Sequence, residues 1–297
     1  MRPDMKYMHV KILLPILVIS LIASAGCSRE LTSGESGADQ PFELPRIPVG
    51  VPDQNVSAGQ GDITGDLQIS ENLPEEETPE LSELMDRGRM ALLNNDYDLA
   101  IESFTNVIEI DPNHVRALYN LSLAYRRLEN IDKAIEYGER AVEADPDTLY
   151  VHQNLANAYM DAGDIDSAIG EFEEELLRHP DEPQLAATAE KLAWVYIERG
   201  LHQEAFDAAM KAVSLDSVTA SYRATLAEVH MMNNAWDAAI GAWNAAIEID
   251  PSEPLLYLRL GDALWEAGRR EESREAYAHA IELDSSIASN IDPSRLE

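Results

Sequence analysis

Residues 115–148 read VRALYNLSLAYRRLENIDKAIEYGERAVEADPDT. Leu118, Leu121, Ser122 and Tyr125 make one stripe at the helical period, which predicts an amphipathic helix. A turn falls near Glu129–Asn130, and Ile131, Ala134, Ile135 and Ala141 line a second helix. That helix is expected to stop at Asp145–Pro146, because proline disfavours helical geometry in the residue before it. Ser122, Ala134 and Ala141 are small enough to let helices approach closely. Two helices this short cannot bury their own apolar faces, so the unit is stable only when stacked on copies of itself.

The copies are present. Pro112, Pro146 and Pro180 lie 34 residues apart, Ser217 follows 37 later, and Pro251 and Ser285 return to 34. A small residue recurs in the first helix as Gly88, Ser122, Ala156, Ala193, Ala227 and Gly261, and in the second as Ala100, Ala134, Ala168, Ala205, Ala239 and Ser273. Three residues after the first of these stand Ala91, Tyr125, Tyr159, Tyr196, His230 and Leu264. In period and in this small and large pattern, the stretch from Leu81 to about Ile287 resembles the tetratricopeptide repeat family. The expected fold is all-α, a right-handed superhelical solenoid of about six helix-turn-helix repeats. They fall at 81–114, 115–148, 149–182, 186–219, 220–253 and 254–287, followed by a tail at 288–297.

Thr78 is placed to cap the first helix with Pro79 at its first position, and Asp96, Asn130 and Asp164 to cap second helices. Two irregularities coincide: the stretch Glu182 to Leu185 includes three extra residues, and Glu175 stands where a small residue is expected. They predict a local change of pitch. A solenoid needs a polar end, so the last helix either caps itself with Glu271, Glu272, Arg274 and Glu275 or buries its edge in a partner subunit.

The chain has 22 basic and 55 acidic residues, a net charge of −33, and is 45% apolar. Such acidity argues against nucleic acid or anionic headgroups as direct partners. One cysteine excludes an intrachain disulfide framework and a cysteine-based zinc cluster. Its place is informative. Basic residues Arg2, Lys6 and Lys11 precede an uncharged aliphatic run from Ile12 to Ala25, the plan of a secretory signal. The run ends Ser24-Ala25-Gly26-Cys27, which resembles the bacterial lipobox, although leucine is usual where Ser24 stands. The resemblance implies a signal peptide at 1–26, lipidation at Cys27 and, with Ser28 next, an outer-membrane anchor facing the periplasm. The competing reading is an ordinary cleaved signal or an uncleaved anchor. Residues 27–80 hold many glycines and prolines, acids and a single aromatic, Phe42, and are expected to form a disordered acidic linker of roughly 40 Å root-mean-square reach.

No catalytic constellation is evident. The seven histidines lack metal-ligand spacing, His152 and His230 fall on core-facing repeat positions, and no glycine-rich phosphate loop follows a strand. An enzyme is not expected, nor a cofactor or metal. What remains is a surface. With repeat positions 4, 7, 8 and 11 in the core, positions 2, 5, 6, 9, 12 and 13 of each first helix form the opposite stripe. In the family this chain resembles, that stripe lines a concave groove that binds extended peptides or helices. The candidate groove residues are Arg89, Arg116, Tyr119, Asn120, Leu123, Arg126, Arg127, Tyr150, Gln153, Asn154, Asn157, Lys191 and Trp194. In repeats one to three, four arginines here face two aspartates, Asp86 and Asp161, within a strongly acidic chain. Asparagine can both donate to and accept from a peptide backbone, and arginine grips carboxylates in bidentate fashion. The lysine and asparagine of the family's chaperone-tail clamp are not matched, since Tyr119 and Leu123 stand there. In repeats five and six the stripe turns apolar (Met231, Met232, Leu255, Leu258, Trp265) and acidic (Glu228, Asp262, Glu266). The expected molecule is a lipid-anchored adaptor that holds a protein segment for an envelope, secretion or pilus complex. The alternatives are a structural lipoprotein self-associating through its last repeat and a regulatory subunit of a cell-wall enzyme.

Overall fold

The computed structural model describes residues 78–296. Residues 1–77, with the signal segment, Cys27 and nearly all of the linker, lie outside them. Among the described residues there are twelve α-helices and no strand. They form six consecutive pairs: α1 (Pro79–Leu93) with α2 (Tyr97–Ile110), α3 (Val115–Arg127) with α4 (Ile131–Ala144), and α5 (Val151–Ala162) with α6 (Ile165–Arg178). Then come α7 (Ala186–Glu198) with α8 (His202–Leu215), α9 (Ala220–Met232) with α10 (Trp236–Ile249), and α11 (Pro254–Glu266) with α12 (Arg270–Leu283). Each helix packs on the one before it and the one after it, so the chain is a helical solenoid.

Local chemistry starts and stops these helices. Thr78 Oγ1 accepts from the Leu81 amide at 3.4 Å, with Pro79 in the first turn. Asp96, Asn130 and Asp164 cap α2, α4 and α6 by accepting from Leu99, Lys133 and Ser167. Within every pair the turn passes through one left-handed residue at the same repeat position: Asn95, Glu129, Gly163, Gly200, Asn234 and Gly268, with φ between 54° and 79°. Glycine and asparagine tolerate that geometry, and Glu129 is the exception.

The pairs close on the small residues. Phe104 of α2 lies on Gly88 of α1, and Tyr277 of α12 on Gly261 of α11; a Cβ on either glycine would stand 2.5 Å from the ring. Where the first-helix residue is serine, it bonds its partner helix: Ser122 Oγ donates to the Ala134 carbonyl at 2.7 Å. The last pair reverses the arrangement, with Ser273 Oγ donating to the Gly261 carbonyl at 2.8 Å.

Glu175 has a local explanation. It is fully buried and its carboxylate accepts from the amides of Tyr150 at 2.7 Å and Gln153 at 3.0 Å, at the start of α5. That helix has no side-chain cap of its own, since Tyr150 sits at φ 74°. A residue of α6 therefore caps α5 from a distance. The three extra residues form a 3₁₀ turn, Pro183–Leu185, whose Leu185 is wholly buried.

The end of the solenoid differs from expectation. Glu271, Glu272 and Glu275 are exposed, and the cap is made by the tail instead. Two 3₁₀ turns, Ser285–Asn290 and Pro293–Arg295, fold over the last pair. Ile287 and Ile291 are buried against Leu258, Tyr277 and Ala280. The tail is long enough because it supplies only the first core positions of a further repeat, not a helix pair. No helix among the described residues is long and apolar enough to cross a membrane.

Candidate functional site: the inner wall of the first helices

The first helices of repeats two to six, α3, α5, α7, α9 and α11, are joined along the stripe opposite their own second helices by a ladder of polar contacts. Arg126 Nε donates to Asp161 Oδ2 at 2.8 Å, tying repeat two to repeat three. Thr188 donates to Gln153, and Lys191 Nζ to Asn157 Oδ1 at 3.4 Å, tying three to four. Thr225 Oγ1 donates to Glu190 Oε1 at 2.9 Å, and Arg259 Nε lies 3.3 Å from Glu228 Oε1. Arg295 of the tail continues the ladder, donating to Asp262 Oδ1 at 2.9 Å and to the Tyr277 hydroxyl oxygen at 3.1 Å, with Glu266 at 3.4 Å.

Burial sets the electrostatics of this wall. It pushes the carboxyls of Glu190 and Glu228 above the usual glutamate range, opposed by the Thr225 hydroxyl and the Arg259 guanidinium respectively. Tyr277, buried beside Asp262, is pushed up to about 12. Arg270 covers the Trp265 ring at 3.6 Å from its centroid, with Arg295 at 5.4 Å.

The candidate groove residues divide into two sets. Arg116, Tyr119, Asn120, Leu123 and Asn154 are buried, from 3 to 9% exposed, where the sequence stripe placed them on an open wall. Tyr119 and Leu123 share one apolar cluster with Met85 and Leu92 of α1. For Tyr119 and Leu123 the reason is geometric: residues turned away from their own second helix still meet the neighbouring first helix. Arg89, Arg126, Arg127, Tyr150, Gln153, Asn157, Lys191 and Trp194 are half-buried. Arg89 pairs with Asp86 at 2.9 Å. In repeats one to three a buried apolar layer thus lies beneath half-buried Arg89, Arg126 and Arg127. In repeats five and six Leu258 and Met231 are buried, whereas Met232, Leu255 and Trp265 keep part of their surface.

The ladder residues Thr188, Glu190, Thr225, Arg259 and Arg295 were absent from the candidates. A signal existed: Lys191, Thr225 and Arg259 share repeat position 6 and meet position 5 or 9 of the preceding repeat. His152 is buried, with its Nδ1 2.6 Å from Glu171 Oε2; His230 is half-buried against the Phe206 ring, and burial lowers its pKa. Among the described residues no group of three His, Cys, Asp or Glu side chains is placed to hold a metal ion.

A stack of helix pairs joined in this way defines a helical repeat protein. Models of the tetratricopeptide repeat match residues 85–147, 147–217, 227–268 and 255–287. The chain belongs to the tetratricopeptide repeat family. It is similar to MamA, with 25% identity over 57% of this chain and 97% of that one and a TM-score of 0.52. YrrB, described as a repeat protein of this family with an unusual peptide-binding site, is 19% identical over 65% of this chain and 100% of that one, with a TM-score of 0.56. A repeat protein from Parabacteroides merdae is 18% identical over 74% and 83%, also with a TM-score of 0.56. Small glutamine-rich tetratricopeptide repeat-containing protein 2 of Mycosarcoma maydis is 35% identical over 82 residues. That stretch is 28% of this chain, and the chain spans only 23% of the length of that curated relative.

Proposed function

We propose that this protein is an adaptor whose inner wall in repeats one to three holds a segment of another protein while Cys27 anchors it to a bacterial membrane. The observation that carries the reading is the charge of that wall: Arg89, Arg116, Arg126 and Arg127 lie on it and Lys191 adjoins it in repeat four, in a chain of net charge −33. Beneath them Met85, Leu92, Tyr119 and Leu123 are buried in one apolar cluster that holds the wall in place. A peptide with acidic side chains suits this wall, since carboxylates can meet guanidinium forks. The peptide-binding site of YrrB, on a similar stack of repeats, supports this use of the fold. The lipobox-like Ser24–Cys27 supports the anchor and a periplasm-facing position in the outer membrane. Assembly of an envelope, secretion or pilus complex is the setting proposed, with control of a cell-wall enzyme as the second.

Self-association through an open last repeat is not favoured, because Ile287, Ile291 and Arg295 cover that end. Two experiments test the reading. Cys27→Ser should release the protein from the membrane fraction, and retention would remove the anchor. A photo-reactive amino acid at Trp194 should crosslink a partner in membranes of the native organism; crosslinks confined to copies of this chain would remove the adaptor.

A further inference from the structure

We propose that the basic inner wall of repeats one to three is occupied in cis by the chain's own residues 62–77, which an external protein segment must displace. The inference rests on the reading of that wall as a peptide groove, and adds its regulation. Residues 62–77 read DITGDLQISENLPEEE, with six acids, no base, and Ile63, Leu67, Ile69 and Leu73 between them. The wall offers the complement. Its surface carries Arg89, Arg126 and Arg127, each half-buried, with Lys191 adjoining in repeat four.

Position favours the same occupant. The segment ends where Thr78 caps α1, so it leaves the fold at the first helix of the wall it would cover. Adjacent helices pack roughly 8–10 Å apart. α1, α3 and α5 therefore cover about 20 Å, and 16 extended residues reach about 50 Å. Length is no obstacle. A tethered segment has an effective concentration on the order of 1 mM. If it binds with a dissociation constant of about 0.1 mM, it weakens any external ligand of the same wall about ten-fold.

The test uses the full chain and a variant with Glu71, Glu75, Glu76 and Glu77 each changed to Gln. A labelled synthetic peptide of residues 62–77 is titrated onto both, with anisotropy as the readout, at low and at high salt. These four side chains lie outside the helices described above, so matching helical circular dichroism controls for folding. The expected result is about ten-fold tighter binding to the variant at low salt, with binding to both weakened by salt. Equal affinities would overturn cis occupancy and leave a groove that takes acidic peptides only in trans. Binding by neither chain would also overturn it; the adaptor reading would then stand only if partner capture still depended on the arginines.

Discussion

Arg126 of repeat two donates its Nε hydrogen to Asp161 of repeat three at 2.8 Å, across the wall on which a ligand would lie. The two side chains are 21 and 41% exposed, so solvent screens the pair and its contribution to folding is expected to be about 0.5 kcal/mol. Arg126→Ala should therefore leave the melting temperature within about 2 °C of wild type. Loss of partner binding without loss of stability separates a ligand-gripping role from a structural one. A fall of more than about 10 °C would show that the ladder holds the repeats together.

Glycines in the helices should respond in opposite ways. At Gly261 a Cβ would sit 2.5 Å from the Tyr277 ring, so Gly261→Ala should destabilise by about 1–3 kcal/mol. Gly170, within α6, has nothing within 4 Å, and Gly170→Ala should stabilise by roughly 0.5–1 kcal/mol through helix propensity. Urea unfolding of both variants checks the pair.

Glu190 gives the wall a pH dependence. Burial raises its pKa in the folded state above the unfolded value, so the folded state holds the proton more tightly. Ionised Glu190 therefore costs stability above its folded pKa. That cost fades as pH falls, and is gone below the unfolded value of about 4.3. Glu190→Gln keeps an acceptor for Thr225 and removes the charge. The variant should be the more stable at pH 7.5, with its advantage over wild type shrinking toward pH 5. A difference in urea midpoint that does not change with pH would contradict this.

The tail is expected to act as a cap. Ile291 is 5% exposed against the last pair, and Arg295 is held by Asp262, Tyr277 and Glu266. Ile291→Asp should free the tail, expose the Tyr277 face and give a mass that rises with concentration in light scattering. A mass that stays constant while amide exchange at 285–296 accelerates would show that the tail covers the end without preventing association.

Much of the fold was legible because each repeat states the same local rules. Thr78, Asp96, Asn130 and Asp164 cap as their types and places require, and the small residues mark where helices touch. The rest depends on what lies one repeat away. Period alone turns Tyr119 and Leu123 from their own second helix, but not from the neighbouring first helix that buries them. Glu175 looked like a misplaced charge because the amides it caps are 22 and 25 residues earlier. The tail looked too short because only Ile287, Ile291 and Arg295 are needed to finish the stack.

The measurement that bears most directly on the wall is crosslinked affinity capture from native membranes. The full chain is run beside a variant with Arg126, Arg127 and Lys191 changed to alanine, all half-buried and therefore expected to leave the fold intact. Partners that are lost with the variant, while its circular dichroism and melting temperature hold, are the predicted result. The same partners recovered at the same yield from both chains would contradict a ligand site on this wall.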